Sequence, residues 1–203
     1  MNVFFGDSIT EGSNCSEPFT NFIPNSINKG ISGTTIGEYS IYPVDGYSLL
    51  ARYDCPEIRE ADTIFLEYGI NDVTAIMCDF ITLQKVIVSF VKVLDGIKQI
   101  TNADIKFLSI AEPYSVIINK YAALQCDYLS NDYFKAYDIV FPPSYWSDMY
   151  SQFIKAVSKR LPIIPMIEDI RFFDDNAVCM SDDNLHPNDK GHYIIAETIK
   201  KYI

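Results

Sequence analysis

The chain has 203 residues, of which 48% are hydrophobic and 21% charged, so a single soluble domain (1–203) with a sizeable core is expected. Its formal net charge of −11 repels phosphate backbones and anionic lipid, which argues against nucleic acid or a membrane surface as partner. No run approaches the roughly 18 apolar residues of a membrane span. No basic-then-apolar leader precedes the first strand, so a cytoplasmic location is expected unless the chain has been trimmed.

In chain order, Val3-Phe4-Phe5 reads as a buried strand over 2–5, followed at once by Gly6-Asp7-Ser8-Ile9-Thr10. A helix is expected over 9–15, then a surface loop over 16–24 that contains Pro18 and Pro24. A second strand over 25–29 leads into Lys29-Gly30-Ile31-Ser32-Gly33-Thr34-Thr35. The two glycines suggest an irregular loop with backbone N–H groups open to a ligand; the plainer alternative is a strand-to-helix turn capped by Thr34 or Thr35.

Residues 47–53 read as a short helix, with Leu49, Leu50 and Tyr53 inward. Residues 57–61 read as a polar approach to the clearest strand, 62–68, which stops at Gly69-Ile70-Asn71-Asp72. The strongest helix is 80–100, with apolar residues at Leu83, Val86, Ile87, Phe90, Val91, Leu94 and Ile97, near the 3.6 period. A strand follows at 105–110. Residues 114–144 carry Tyr114, Tyr121, Tyr128, Tyr133 and Tyr137; they fit a pair of irregular helices or a sugar-stacking lid. A helix over 145–159, an edge strand over 161–167 with Pro162 and Pro165, an acidic loop over 168–181 and a closing helix over 188–203 complete the chain.

Strand and helix alternate, which predicts an α/β fold with five parallel strands and helices on both faces. Four polar clusters fall just after strands: Ser8, the loop from Gly30 to Gly33, Gly69-x-Asn71-Asp72 and Asp183-x-x-His186. Strand C-terminal ends share one edge of a parallel sheet, so these clusters can converge. Together they supply what acyl transfer needs. Ser8 is the candidate nucleophile, His186 its base and Asp183 the group that orients the imidazole. The backbone N–H groups of Ser8 and Gly33 and the Asn71 amide are the candidate oxyanion donors.

The other polar residues are read more plainly. Asp7 and Asp72 are expected to hold their loops by hydrogen bonds, and His192 to be structural or at the surface. Glu11, Glu67 and Glu112 receive no role. The five cysteines, an odd number with no Cys-x-x-Cys pair, read as reduced thiols, and Cys15 as a small buried residue beside the site. Asp182, Asp183 and His186 also form a possible metal set, although no further histidine or cysteine is spaced to complete it.

Gly6-Asp7-Ser8, Ser32-Gly33, Gly69-x-Asn71-Asp72 and Asp183-x-x-His186 resemble the four blocks of the SGNH (GDSL-type) hydrolase family, in that family's order and across almost the whole chain. The resemblance implies a flavodoxin-like, three-layer α/β/α sandwich. It implies a Ser8-His186-Asp183 triad, an oxyanion hole from Ser8, Gly33 and Asn71, and no metal or organic cofactor. It further implies an esterase, with a small-molecule or saccharide ester as partner. Short acyl groups such as acetyl on a carbohydrate are the expected substrates, because the loops are rich in tyrosine and no long apolar stretch adjoins the motifs. Two alternatives stay open: an acyltransferase that resolves the same acyl-enzyme with a sugar hydroxyl, and a non-catalytic flavodoxin-like module that cradles an anion at the turn from Gly6 to Thr10. The acyl group, the alcohol and the oligomeric state are not legible in the sequence.

Overall fold

The computed structural model describes residues 1–39, 47–77, 80–109, 145–166, 179–182 and 186–203. Strands β1 (Asn2–Gly6), β2 (Ser26–Gly30), β3 (Thr63–Glu67), β4 (Asp104–Ser109) and β5 (Ile163–Pro165) form one parallel sheet in the order β2-β1-β3-β4-β5. The central strands carry continuous apolar runs, Val3-Phe4-Phe5 and Ile64-Phe65-Leu66, all buried. Strands of that kind are covered on both faces. Pro165 is tolerated because β5 lies at an edge.

One face is lined by Phe4, which stacks on Phe65 at 4.5 Å and meets Phe19 edge-on at 5.6 Å. The short helix α1 (Ser8–Glu11), a 3-10 turn (Phe19–Phe22) and α7 (Asp189–Ile199) lie on this side. On the other face Phe107 packs edge-on against Phe90 at 5.9 Å and against Phe153 at 5.7 Å. Those rings belong to α5 (Leu83–Ile100) and α6 (Tyr145–Val157). Helices α2 (Leu49–Arg52), α3 (Pro56–Arg59) and α4 (Ile70–Met77) pack against α5 and α6 to complete that layer. The expected three-layer α/β/α sandwich is the one observed. Strand order reverses between β1 and β3, the switch point where such sheets place ligands. Ser8 follows β1 and Asn71 follows β3.

Several expected elements differ. The helix expected over 9–15 ends at Glu11, because Gly12 (φ 94) and Asn14 (φ 63) take left-handed conformations. Neither Thr34 nor Thr35 caps a helix: Thr34 Oγ1 bonds the Ile31 carbonyl, and Thr35 Oγ1 those of Gly37 and Tyr39. The polar stretch over 57–61 overlaps α3, whose first residue is Pro56, a favoured N1 residue. Asn71 and Asp72 lie in the first turn of α4 rather than in a loop. The long helix starts at Leu83 behind a Thr82 cap, and Phe80 is exposed. Val93 and Tyr150 join the core, whereas Tyr202 is exposed and His192 is fully buried. The tyrosines from Tyr114 to Tyr137, the acidic loop at Asp174 and Asp175, and Glu112 lie outside the described residues. No helix among the described residues is long and apolar enough to cross a membrane.

Candidate active site

β1 delivers the chain to Gly6, where a Cβ would stand 2.0 Å from Thr10 Oγ1 and 2.8 Å from Glu67 Oε2. Only glycine lets the backbone turn there under its own next helix. Asp7 caps α1, its Oδ1 accepting the Ile9 N–H at 3.0 Å. Ser8 is thus the first residue of α1, and its backbone N–H belongs to the turn that has no acceptor within the helix. The Ser8 Oγ lies 2.8 Å from His186 Nε2, across a sequence separation of 178 residues.

His186 is held from behind. Its carbonyl accepts from the Ser181 N–H and hydroxyl, both at 2.8 Å, and Met180 pairs with Pro187 in an antiparallel bridge. Asn188 then caps α7. The Asp189 carboxylate reaches back to the Ser16 N–H at 2.6 Å and the Ser16 hydroxyl at 2.7 Å. This joins the loop after α1 to the helix after His186. Asn14 Nδ2 stands 3.4 Å from His186 Nδ1. Asp183 lies outside the described residues.

Gly33 adopts φ 73, so the loop after β2 turns through a conformation that suits glycine. Its neighbour Ser32 is clamped by Glu11 of α1. Glu11 Oε2 accepts the Ser32 N–H at 3.1 Å and the Ser32 hydroxyl, and Ser32 Oγ lies 2.7 Å from Ser13 Oγ. Farther along, buried Asp72 Oδ1 accepts the Ile36 N–H at 2.9 Å and the Tyr39 hydroxyl at 2.8 Å. Asn71 bridges the two candidate oxyanion loops. Its Nδ2 donates to the Thr34 carbonyl at 3.0 Å and to Asp7 Oδ2 at 3.3 Å. Asp7 and Asp72 do hold their loops, as the sequence suggests.

The electrostatics are dominated by burial. Asp7, Glu67 and Asp72 are each at most 1% exposed. Desolvation pushes all three carboxyls up, with the Glu67 charge adding to the effect at Asp7; Asp72 reaches about 7. Arg52 brings positive charge to the same strand ends. It donates to the Gly6 carbonyl at 3.1 Å and the Tyr68 hydroxyl at 2.7 Å, and lies over the Phe5 ring. His192 stacks on Phe19, accepts the Phe19 N–H at Nδ1, and is pushed down to about 4 by burial. Cys15 is half-buried, with Sγ donating to the Gly12 carbonyl.

Ser8, His186, Gly33 and Asn71 therefore stand at one edge of the sheet. The sequence gives no role to Glu67, Glu11 or Arg52, and reads Asp189 only as a possible cap of the closing helix. Glu67 was the most legible of them, since a carboxylate ending a buried apolar strand needs partners. No group of three or more His, Cys, Asp or Glu among the described residues is arranged to hold a metal, and the site's donors suit proton transfer.

No curated protein sequence matches the chain. Solved structures do. The lipase Lip_vut3 from a goat rumen metagenome has a TM-score of 0.61 at 15% identity, covering 98% of this chain and 95% of that one. A catalytic mutant of an acetylxylan esterase from Geobacillus stearothermophilus has a TM-score of 0.61 at 15% identity, covering 98% and 92%. A lipase/acylhydrolase from Enterococcus faecalis has a TM-score of 0.59 at 15% identity, covering 100% and 94%. At such identities the likeness establishes the fold. The sequence itself matches the GDSL-like lipase/acylhydrolase family over residues 4–194. That match spans nearly the whole chain, and the protein is a carboxylic ester hydrolase of the GDSL-like lipase/acylhydrolase family.

Proposed function

We propose that the chain hydrolyses short-chain esters, acetyl groups on a carbohydrate foremost, through an acyl-enzyme on Ser8. The observation that carries the reading is the 2.8 Å approach of Ser8 Oγ to His186 Nε2, the geometry a nucleophile and its base require. His186 Nε2 takes the hydroxyl proton as Oγ bonds to the ester carbonyl carbon. The carbonyl oxygen becomes an oxyanion facing the N–H groups of Ser8 and Gly33 and the Asn71 amide. Collapse breaks the bond to the alcohol, which leaves with the proton from Nε2. Water, deprotonated by the same nitrogen, then releases the acid and frees Ser8. Asp183, three residues before His186, is assigned to the Nδ1–H, where a carboxylate holds the tautomer that the base needs.

The acetyl-carbohydrate reading draws support from the acetylxylan esterase among the structural neighbours. The deciding experiment is hydrolysis of p-nitrophenyl esters from acetate to laurate, followed by acetate release from acetylated xylan, for the wild type and Ser8→Ala. The expected result is highest kcat/KM on acetate and a loss of at least ~10³-fold in Ser8→Ala. Equal rates in the two proteins would overturn the role of Ser8, and a preference for laurate would overturn the substrate class.

A further inference from the structure

The ends of β1 and β3 bury two carboxyl groups close together. Gly6 is in register with Glu67 across the two strands. Asp7 is 1% exposed and Glu67 fully buried. Glu67 Oε2 accepts the Thr10 hydroxyl at 3.1 Å and the Asp7 N–H at 3.4 Å. Glu67 Oε1 meets no N–H or O–H donor among the described residues. Asp7 accepts the Ile9 N–H on Oδ1 and the Asn71 amide on Oδ2. With the Asp7 N–H on Glu67 Oε2, the two buried carboxyl groups lie close enough for the charge of Glu67 to raise the Asp7 carboxyl. Two neighbouring carboxylates, both buried, cannot both ionise at neutral pH.

Asn71 Nδ2 carries two hydrogens. In the resting site one goes to the Thr34 carbonyl at 3.0 Å and the other to Asp7 Oδ2 at 3.3 Å. An oxyanion that uses the Asn71 amide must draw one of them away, and the longer bond, to Asp7, is the one to yield. An ionised acceptor holds an N–H about twice as strongly as a neutral one. It also sets a second negative charge beside the one that forms in the transition state.

We propose that Glu67 is a positioning residue for ester hydrolysis at Ser8: it shares one proton with Asp7, and the neutral Asp7 that results gives up the Asn71 amide to the oxyanion. The inference rests on the assignment of Ser8 and Asn71 made above. The proton sits on Asp7, beside a Glu67 carboxylate one of whose oxygens has no other donor among the described residues. It stays on the pair throughout the cycle, so no bond to it is made or broken by the reaction. Burial and the Glu67 charge raise the Asp7 carboxyl, which agrees with this placement. The other charged or titratable groups facing the pair are His186 beyond Ser8, Asp72 on α4, Tyr68 on the chain after β3 and Arg52 on α2. Asp72 bonds Ile36 and Tyr39 rather than Asn71, so its titration leaves the Asn71 bonds in place.

The test is the pH profile of kcat on p-nitrophenyl acetate for the wild type, Glu67→Gln, Asp7→Asn and Asp72→Asn, with fluorophosphonate labelling of Ser8 run on each. The wild type should lose kcat along an alkaline limb as the shared proton leaves. Glu67→Gln offers an N–H to Asp7 and lets it ionise. Its kcat should fall on the order of tenfold at neutral pH, with KM little changed, and its limb should move to lower pH. Asp7→Asn, which has no charge to gain, should lose the limb, and Asp72→Asn should keep it. A limb unmoved in Glu67→Gln, or one that persists in Asp7→Asn, overturns the proposal. So does a limb that vanishes in Asp72→Asn. If Glu67→Gln does not fold, Asp7→Asn decides alone. If the wild type neither hydrolyses ester nor labels at Ser8, the reading of Ser8 itself has failed. An active, labelled wild type with unmoved limbs overturns only the shared proton.

Discussion

Ser8 and His186 meet at 2.8 Å, yet the regions that deliver them are built on opposite electrostatics. On the Ser8 side, the ends of β1 and β3 and the start of α4 bury three acidic groups, Asp7, Glu67 and Asp72. Burial there favours keeping protons on. On the His186 side, α7 buries His192 against Phe19, and burial keeps its proton off. Among the described residues the Asp189 carboxylate supports this side from the surface, where the Ser16 hydroxyl and N–H hold it below its ordinary range. The nucleophile therefore stands on a frame that alkali loosens, and the base on one that acid loosens.

The signs follow from linkage. Asp72 binds its proton more tightly folded than unfolded, with a folded value of about 7 against 3.8. Its contribution is complete below the unfolded value and is lost as pH rises through about 7. His192 goes the other way, about 4 folded against 6.5. Its contribution is complete above 6.5 and is lost as pH falls through about 4.

The largest break in the comparison comes at the contact itself. His186→Ala removes the only group bonded to Ser8 Oγ among the described residues and should lower kcat on p-nitrophenyl acetate by at least ~10³-fold, with KM nearly unchanged. Next comes Asn71→Ala, which should cost about 10²–10³ in kcat if the amide serves the oxyanion, measured on the same ester at saturation. Asp72→Asn sharpens the electrostatic contrast. Relative to the wild type it should remove a stability slope of about 1.4 kcal/mol per pH unit across the interval from 3.8 to about 7, read from urea melts at stepped pH. The smallest expected effect is Glu11→Gln. That change keeps the shape of the Ser32 clamp but not its charge, and kcat should fall by less than about tenfold. A larger loss would mean that the Gly33 loop depends on Glu11 alone.

The two regions were also unequally legible. β1 and β3 were plain from Val3-Phe4-Phe5 and Ile64-Phe65-Leu66, because continuous apolar runs between turn residues have one good solution in a parallel sheet. The parallel order and the clustering of Ser8, Gly33, Asn71 and His186 at one edge followed from alternation. Of the short helices, α2 was legible within 47–53, whereas α1, α3 and α4 were not. α1 stops after one turn because Gly12 turns left-handed as its C-cap, a stop that a glycine permits but does not by itself dictate. α3 hides among Glu57, Arg59 and Glu60, where polarity reads as loop. α4 was missed because Gly69 with Asn71 and Asp72 looks like a turn, whereas Asn71 and Asp72 spend their side chains on Thr34 and Ile36 across the site. Glu67 was passed over for a related reason. Sequence gives its place on a strand but not the Thr10 and Asp7 groups that meet it from α1 and its cap, just past β1.

The central claim is that Ser8 is the activated nucleophile and that His186 activates it. The most direct measurement is intact-mass and peptide-mapping analysis after a fluorophosphonate probe is applied to the wild type, Ser8→Ala and His186→Ala. The account predicts one adduct per wild-type chain, on the peptide that contains Ser8. It predicts none in Ser8→Ala and labelling slowed by orders of magnitude in His186→Ala. An adduct on another residue, or full labelling in Ser8→Ala, would contradict it.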